Sequence, residues 1–331
     1  MLRMRTHDAA SALNALLVVA GLAIACGWSA APASAQPRGH DVLVTVLDSD
    51  GVPVTGMTAE HFAVREDGRD REVLGAVPLA DPMHIALLLD NSGALGDGWP
   101  AVKAAAEQFI DAVGPVHRIG IYTFGERAVR VTSFLRDGSD LKAALSRTFP
   151  IANLPRLIDA VDMAALDLSE AGASVPAIVA LTTTGSEVSA KTAGKAIKSL
   201  VAGGVSFHAV AMKPLSGSAV ASVRGAEAGF QQSRERMLQL QSQGEGDREL
   251  TQMIQQGTAQ TGGHLERVAS AEAAVPALVR VVSRLRNGYR VTYSSTTAVG
   301  RRPRDLQVGV MLQDVTVLAH VPPSAPVSRA R

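Results

Sequence analysis

A short apolar run that ends in an acidic residue constrains the fold of this chain more than any other feature. The apolar residues Ile85 to Leu89 are followed by Asp90-Asn91-Ser92-Gly93, and a helical pattern then runs from Val102 to Val113. This order is typical of a buried strand in a parallel sheet, followed by a turn and a helix. Open α/β folds bind ligands at the carboxyl edge of such a sheet. Asp90 and Ser92 are therefore candidate oxygen ligands.

Strand and helix patterns alternate along the middle of the chain. Strand patterns cover residues 83–89, 117–123, 127–132, 175–182, 205–212 and 264–268. Helical patterns lie near residues 99–113, 139–148, 156–168, 190–201, 249–260 and 271–285. The repetition predicts an α/β fold with a doubly wound, mostly parallel sheet covered by helices on both faces. Only Phe124-Gly125-Glu126 separates the second and third strand patterns, which is too short for a crossover, so that pair is predicted to be antiparallel.

Alternating residues at the two ends predict a second, smaller module. Apolar residues recur at every second position in Val42–Val46, in Tyr289–Tyr293 and in Leu306–Leu312. Neither end can bury a two-sided core alone, so we predict that both join in one β-sandwich-like module. The predicted boundaries are 36–80 for the N-terminal β segment, 81–286 for the central domain with a polar insertion at 213–248, 287–320 for the C-terminal β segment, and 321–331 for a disordered tail.

The first 35 residues are predicted to be a signal peptide. Arg3 and Arg5 precede an apolar stretch, and the small residues Ala33-Ser34-Ala35 predict cleavage before Gln36. The sequence around Cys26 resembles a bacterial lipoprotein signal, which leaves lipidation of Cys26 as an alternative. The protein is thus expected to be exported, either periplasmic or secreted, with membrane attachment only if Cys26 carries a lipid.

Composition and motif spacing argue against several classes of function. The net charge of +1 and the aromatic content of 4% give no reason to expect nucleic acid as a partner. The histidines do not have zinc-ligand spacing, and Ser92 lacks the Gly-x-Ser-x-Gly elbow of a nucleophile. We predict no catalytic residues and no enzyme activity. An exported α/β hydrolase that uses Ser92 stays a third hypothesis.

Two segments resemble the bacterial VWFA-related proteins, which carry a β module before a von Willebrand factor A (vWA) domain. Thr55 to Gly68 resembles the lead-in of these proteins, and Asp90-x-Ser92 resembles the start of the domain. The resemblance implies a Rossmann-like sheet with an antiparallel edge strand. It also implies a divalent cation held by Asp-x-Ser-x-Ser, by a threonine of a second loop and by an aspartate of a third. That cation bridges to an acidic group on a partner.

This sequence keeps two of the five ligand positions that the resemblance implies. Asp90 and Ser92 are present, whereas Ala94, Pro155 and Thr184 stand at the other three. One carboxylate and one hydroxyl hold a hard cation weakly, so we predict no resident cofactor. Weak Mg²⁺ binding by Asp90 and Ser92, completed by a partner carboxylate, is the alternative.

We therefore predict a non-enzymatic interaction module that binds a protein or cell-envelope component mostly without metal. The candidate ligand-binding residues lie in three loops and are Asp90, Asn91, Ser92, Ala94, Trp99, Pro155, Thr183, Thr184 and Glu187. Trp99 is interpreted either as an aromatic contact or as a ring packed on its own helix. If no metal binds, Asp90 is expected to cap loop amides or the following helix, and the Ser92 hydroxyl to bond the turn backbone.

Overall fold

The computed structural model describes residues 38–185, 187–213, 244–298 and 301–323. The predicted signal peptide, Cys26, most of the predicted polar insertion and most of the predicted tail lie outside these residues. Within the described ranges, no helix is both long and apolar enough to cross a membrane.

The structure contains the following strands and helices. The strands are β1 (Arg38–Leu47), β2 (Phe62–Glu66), β3 (Arg69–Arg71), β4 (Val73–Pro78), β5 (His84–Leu89), β6 (Arg118–Thr123), β7 (Val129–Arg130), β8 (Pro176–Thr183), β9 (Ser206–Met212), β10 (Leu265–Val268), β11 (Tyr289–Ser295), β12 (Leu306–Val310) and β13 (Thr316–His320). The helices are α1 (Trp99–Val113), α2 (Gly138–Ser146), α3 (Leu157–Glu170), α4 (Ala193–Gly203), α5 (residues 244–260, π-helical over Met253–Gly257) and α6 (Ala274–Arg286).

A six-stranded sheet in the order β10-β9-β8-β5-β6-β7 forms the centre of the molecule. Its strand pairs are parallel except for β6 and β7, which are antiparallel. Helices α1, α2 and α6 supply the apolar cluster on one face, and α3, α4 and α5 supply the cluster on the other. Because both faces are covered, β8 and β9 are buried at every position. The predicted fold class is confirmed, including its antiparallel edge strand.

Strands from both ends of the chain form the smaller β module. One sheet has the order β13-β1-β11-β4 and the other the order β12-β2-β3. β1 pairs antiparallel with both β11 and β13. The apolar residues of the two sheets, among them Val44, Phe62 and Val291, enclose one core. This module also agrees with the predicted fold class.

The structure adds two strands that the sequence patterns did not predict. β3 consists of charged residues only, and β4 has no alternation of buried and exposed positions. β3 pairs with β2 across a turn in which Asp67 and Gly68 both adopt positive φ, the geometry of a tight hairpin. Pairing with a neighbour, rather than a hydrophobic pattern, therefore makes β3 a strand.

Two predicted elements have different bounds in the structure. β7 keeps only Val129 and Arg130 of the strand predicted over 127–132, because the Thr132 hydroxyl, instead of a strand partner, accepts a hydrogen bond from the Ile121 amide at 3.0 Å. α5 is described from residue 244, five residues before the predicted start at 249.

Candidate functional site

Three loops lie at the carboxyl edge of the central sheet, where β5, β6 and β8 end. We call residues 90–98 the first loop, residues 147–156 the second loop, and residues 184–192, of which 186 is not described, the third loop. The first loop leads into α1 and the second into α3. All the predicted ligand-binding residues lie in these loops or directly beside them.

The carboxylate of Asp90 is fully buried and is used for contacts within the protein. Its Oδ1 accepts a hydrogen bond from the Ser92 amide at 2.9 Å. Its Oδ2 accepts two more, from the Thr183 amide at 2.9 Å and from the Thr183 hydroxyl at 2.6 Å. Asp90 thus joins the first loop to the end of β8. Charge-assisted bonds of this kind are roughly twice as strong as neutral ones.

The Ser92 hydroxyl behaves differently from the expectation. It is buried, with 1% of the residue exposed, and its Oγ has no hydrogen-bond partner among the described residues. The expected bond from this hydroxyl to the turn backbone is therefore wrong. The backbone of Ser92 forms the turn instead, because its carbonyl accepts a hydrogen bond from the Leu95 amide at 3.2 Å.

The other positions where the resemblance implies metal ligands offer no oxygen to this site. The Thr184 hydroxyl donates to the Met212 carbonyl at the end of β9, at 3.1 Å. Ala94 and Pro155 have no side-chain oxygen. The structure thus presents one unpartnered hydroxyl, on Ser92, and one carboxylate that already accepts three hydrogen bonds. This donor set does not fit the near-octahedral oxygen shell that Mg²⁺ requires. Among the described residues, no group of three His, Cys, Asp or Glu side chains is arranged to hold a metal ion.

Asn91 connects three segments of the site. Its Nδ2 donates to the Phe149 carbonyl at 2.9 Å, and its Oδ1 accepts from the Gly125 amide at 2.7 Å. Its own carbonyl accepts from the Ile151 amide at 2.7 Å. Asn91 is buried, so the structure places it inside the loops and not on their surface.

Replacing Gly125 by alanine is expected to lower the free energy of unfolding by about 1–3 kcal/mol, because a Cβ there overpacks the Asn91 contact. That Cβ would lie 2.8 Å from both the Asn91 carbonyl oxygen and Oδ1, and the first of these is backbone that cannot swing away. Chemical denaturation measures the change. Gly138→Ala is the matched control, because its nearest neighbour would be a side-chain carbon at 3.5 Å. Equal effects of the two substitutions would contradict the prediction.

The two aromatic residues beside the site have opposite environments. Trp99 is 4% exposed and belongs to the apolar cluster under α1, and its Nε1 lies 3.4 Å from the Thr148 carbonyl. The interpretation of Trp99 as a surface contact is therefore corrected, because its ring is packed at the start of its own helix. Phe149, in the second loop, is 68% exposed and was missed. The sequence indicates a loop position for Phe149 only through its place between the helical pattern near residues 139–148 and Pro150.

The Glu187 carboxylate ties the third loop to the start of α3. Its Oε2 accepts from the Leu157 amide and its Oε1 from the Ser189 amide, both at 3.0 Å. Burial raises the pKa of Glu187 to about 7, although hydrogen bonds from Ser189 and from backbone amides of α3 lower it. Asp159 of α3 completes the connection by accepting from the Lys191 amide at 3.0 Å. Glu187 is thus a helix-capping residue in this conformation.

One family model and several solved structures are similar to parts of this chain. The family model described as "von Willebrand factor type A domain" matches residues 85–186. A conserved hypothetical protein BatB from Bacteroides thetaiotaomicron is similar in structure, with 16% identity, 61% of this chain and 98% of that chain covered, and a TM-score of 0.45. A von Willebrand factor type A protein from Catenulispora acidiphila shows 10% identity, coverage of 88% and 75%, and a TM-score of 0.48. No curated protein matches the sequence.

The family match covers the part of the central sheet that runs from β5 to the end of β8. It includes Asp90 and Ser92, on which part of the resemblance in the sequence depended, and it does not cover Thr55 to Gly68. Residues 85–186 of this chain therefore match the von Willebrand factor type A domain family.

Proposed function

We propose that this protein is a non-enzymatic interaction module that binds a protein partner through the three loops, with Phe149 as the central contact and without a resident metal ion. The observation that carries the proposal is the exposure of an aromatic side chain at this edge. Exposed aromatic residues that become buried on binding are frequent hot spots of protein interfaces.

The second loop holds Phe149 in a fixed position. The Asn91 side chain binds the Phe149 carbonyl at 2.9 Å, and the Asn153 carbonyl accepts from the Gly93 amide at 3.0 Å. The Asn153 amide donates to the Ile151 carbonyl at 2.8 Å. A loop that is ordered before binding loses less conformational entropy in the complex, which favours affinity.

The absence of catalysis is also part of the proposal. A serine nucleophile needs a base within hydrogen-bond reach. The Ser92 hydroxyl has no such partner in the described part of the chain. Export to the periplasm or the medium, cleavage before Gln36 or lipidation of Cys26, and a cell-envelope partner remain proposals that rest on the first 35 residues of the sequence.

One observation favours a second candidate function. The buried Ser92 hydroxyl has no hydrogen-bond partner among the residues that the structure describes. In this alternative, the hydroxyl oxygen is a ligand of a Mg²⁺ ion whose coordination a carboxylate of the partner completes. This alternative predicts that binding is lost in chelator and in Ser92→Ala. The leading proposal predicts that both leave binding unchanged.

The test is a photo-crosslinking comparison in envelope extracts. A benzophenone amino acid at position 149 is expected to crosslink a partner in magnesium and in chelator alike, and Phe149→Asp is expected to weaken capture about 10- to 100-fold. Leu166 is the matched control, because it is 60% exposed on α3 and lies about 14 Å further along that helix from the loops. Crosslinks of equal yield from positions 149 and 166 would contradict the proposal.

A further inference from the structure

A small, largely enclosed cavity lies between the central domain and the β module. Its volume is about 30 Å³, and its lining includes His208 of β9, Arg284 of α6 and His320 of β13. A cavity of this volume has room for one water molecule or one monatomic ion.

Three residues of the lining each have a buried nitrogen atom with no hydrogen-bond partner among the described residues. These atoms are His208 Nδ1, His320 Nε2 and Arg284 Nη1. His208 and Arg284 are each 4% exposed, so water outside the protein does not compensate for the missing bonds. A buried donor without a partner costs about 1–3 kcal/mol, and more when it is charged. Three such atoms on residues that line one cavity therefore indicate an occupant.

The other donors of Arg284 point elsewhere. Its Nε donates to the Gly51 carbonyl at 3.3 Å, and its Nη2 lies 3.7 Å from Glu266 Oε1. That carboxylate oxygen is closer to Arg280, whose Nε donates to it at 2.5 Å. The charge of Arg284 is therefore buried, and Glu266 compensates it only in part because that carboxylate also binds Arg280.

The remaining titratable groups around the cavity add positive charge or none. The charge of Arg302 lowers the pKa of His320, and His264 lowers the pKa of His208. Burial lowers the pKa of His208 to about 3 and that of His320 to about 4. Both imidazoles are thus neutral near pH 7, and each carries one N–H that its tautomer can place on the unpartnered nitrogen.

We propose that this cavity binds a chloride ion, held by the Arg284 guanidinium and by N–H groups of His208 and His320. An anion supplies the negative charge that Glu266 provides only in part. It also gives all three unpartnered nitrogens an acceptor. Because His320 belongs to the β module and the other two residues belong to the central domain, the ion would fasten the two together.

The test uses the full chain at constant ionic strength. The melting temperature is expected to be about 2–4 °C higher in sodium chloride than in sodium gluconate, because a ligand that binds only the folded state stabilises it. Arg284→Met is expected to remove this difference. Arg280→Met is the matched control, since Arg280 lies on the same helix and binds the same carboxylate but does not line the cavity. Equal melting temperatures of the wild-type protein in the two salts would overturn the proposal.

Crystals soaked in bromide give a second readout that does not depend on a variant. An anomalous peak among His208 Nδ1, His320 Nε2 and Arg284 Nη1 is the expected result. A water molecule in the cavity without anomalous signal would overturn the proposal, whatever the melting temperatures.

Discussion

Asp90→Ala is expected to lower the free energy of unfolding by about 3–5 kcal/mol, by the same amount in magnesium and in chelator. The substitution leaves the Ser92 amide, the Thr183 amide and the Thr183 hydroxyl without their common acceptor in a fully buried place. It also separates the first loop from the end of β8. Chemical denaturation in the two buffers measures the effect.

Ser92→Ala is the matched control for this prediction. The Ser92 hydroxyl has no partner in the described part of the protein, so its removal is expected to change the free energy of unfolding by less than about 1 kcal/mol. Thr183→Val removes one of the three hydrogen bonds to Asp90. It is expected to lower the free energy of unfolding by an amount between those of Ser92→Ala and Asp90→Ala. A loss of stability in Asp90→Ala that occurs only with magnesium present would contradict the structural role of this carboxylate.

Glu187 is expected to make the stability depend on pH between about 4.5 and 7. Burial raises the pKa of Glu187 from 4.5 in the unfolded chain to about 7 in the folded protein. The folded state therefore binds the proton more tightly. The contribution of Glu187 protonation to the free energy of unfolding is complete below pH 4.5, and it is lost as the pH rises through 7. The loss amounts to about 3 kcal/mol.

The measurement compares the wild-type protein with Glu187→Gln across this pH range, so that other titrating groups cancel. Among these other groups, His208 and His320 have strongly lowered pKa values, and their effect on the free energy of unfolding has the opposite pH dependence. Their lowered pKa values make a contribution that is present above pH 6.5 and lost as the pH falls. Glu107→Gln, at an exposed position of α1, is the control. A difference between wild type and Glu187→Gln that is constant with pH would contradict the prediction.

The fold could be predicted because its main signals are local. Each buried strand of the central sheet is a short apolar run, and the short Phe124-Gly125-Glu126 link excludes a crossover. β3 escaped prediction because its charged residues carry no hydrophobic pattern and its pairing with β2 decides its conformation.

The site was only partly predictable, because its contacts join residues far apart in the chain. The bond from the Ser92 amide to Asp90 spans two residues, which a local motif can indicate. The bonds from Thr183 to Asp90 span 93 residues, and sequence spacing contains no information on them. The same limit explains why Trp99 was considered as a contact while Phe149 was missed, since exposure depends on the packing of the whole loop.

Metal-independent binding requires that the carboxylate of Asp90 is engaged within the protein and holds no ion. Anomalous diffraction from crystals grown in millimolar manganese tests this directly. We predict no peak within bonding distance of Asp90 or of the Ser92 hydroxyl, and unchanged contacts between Asp90 and Thr183. A fully occupied, six-coordinate manganese ion that binds Ser92 Oγ would contradict the account.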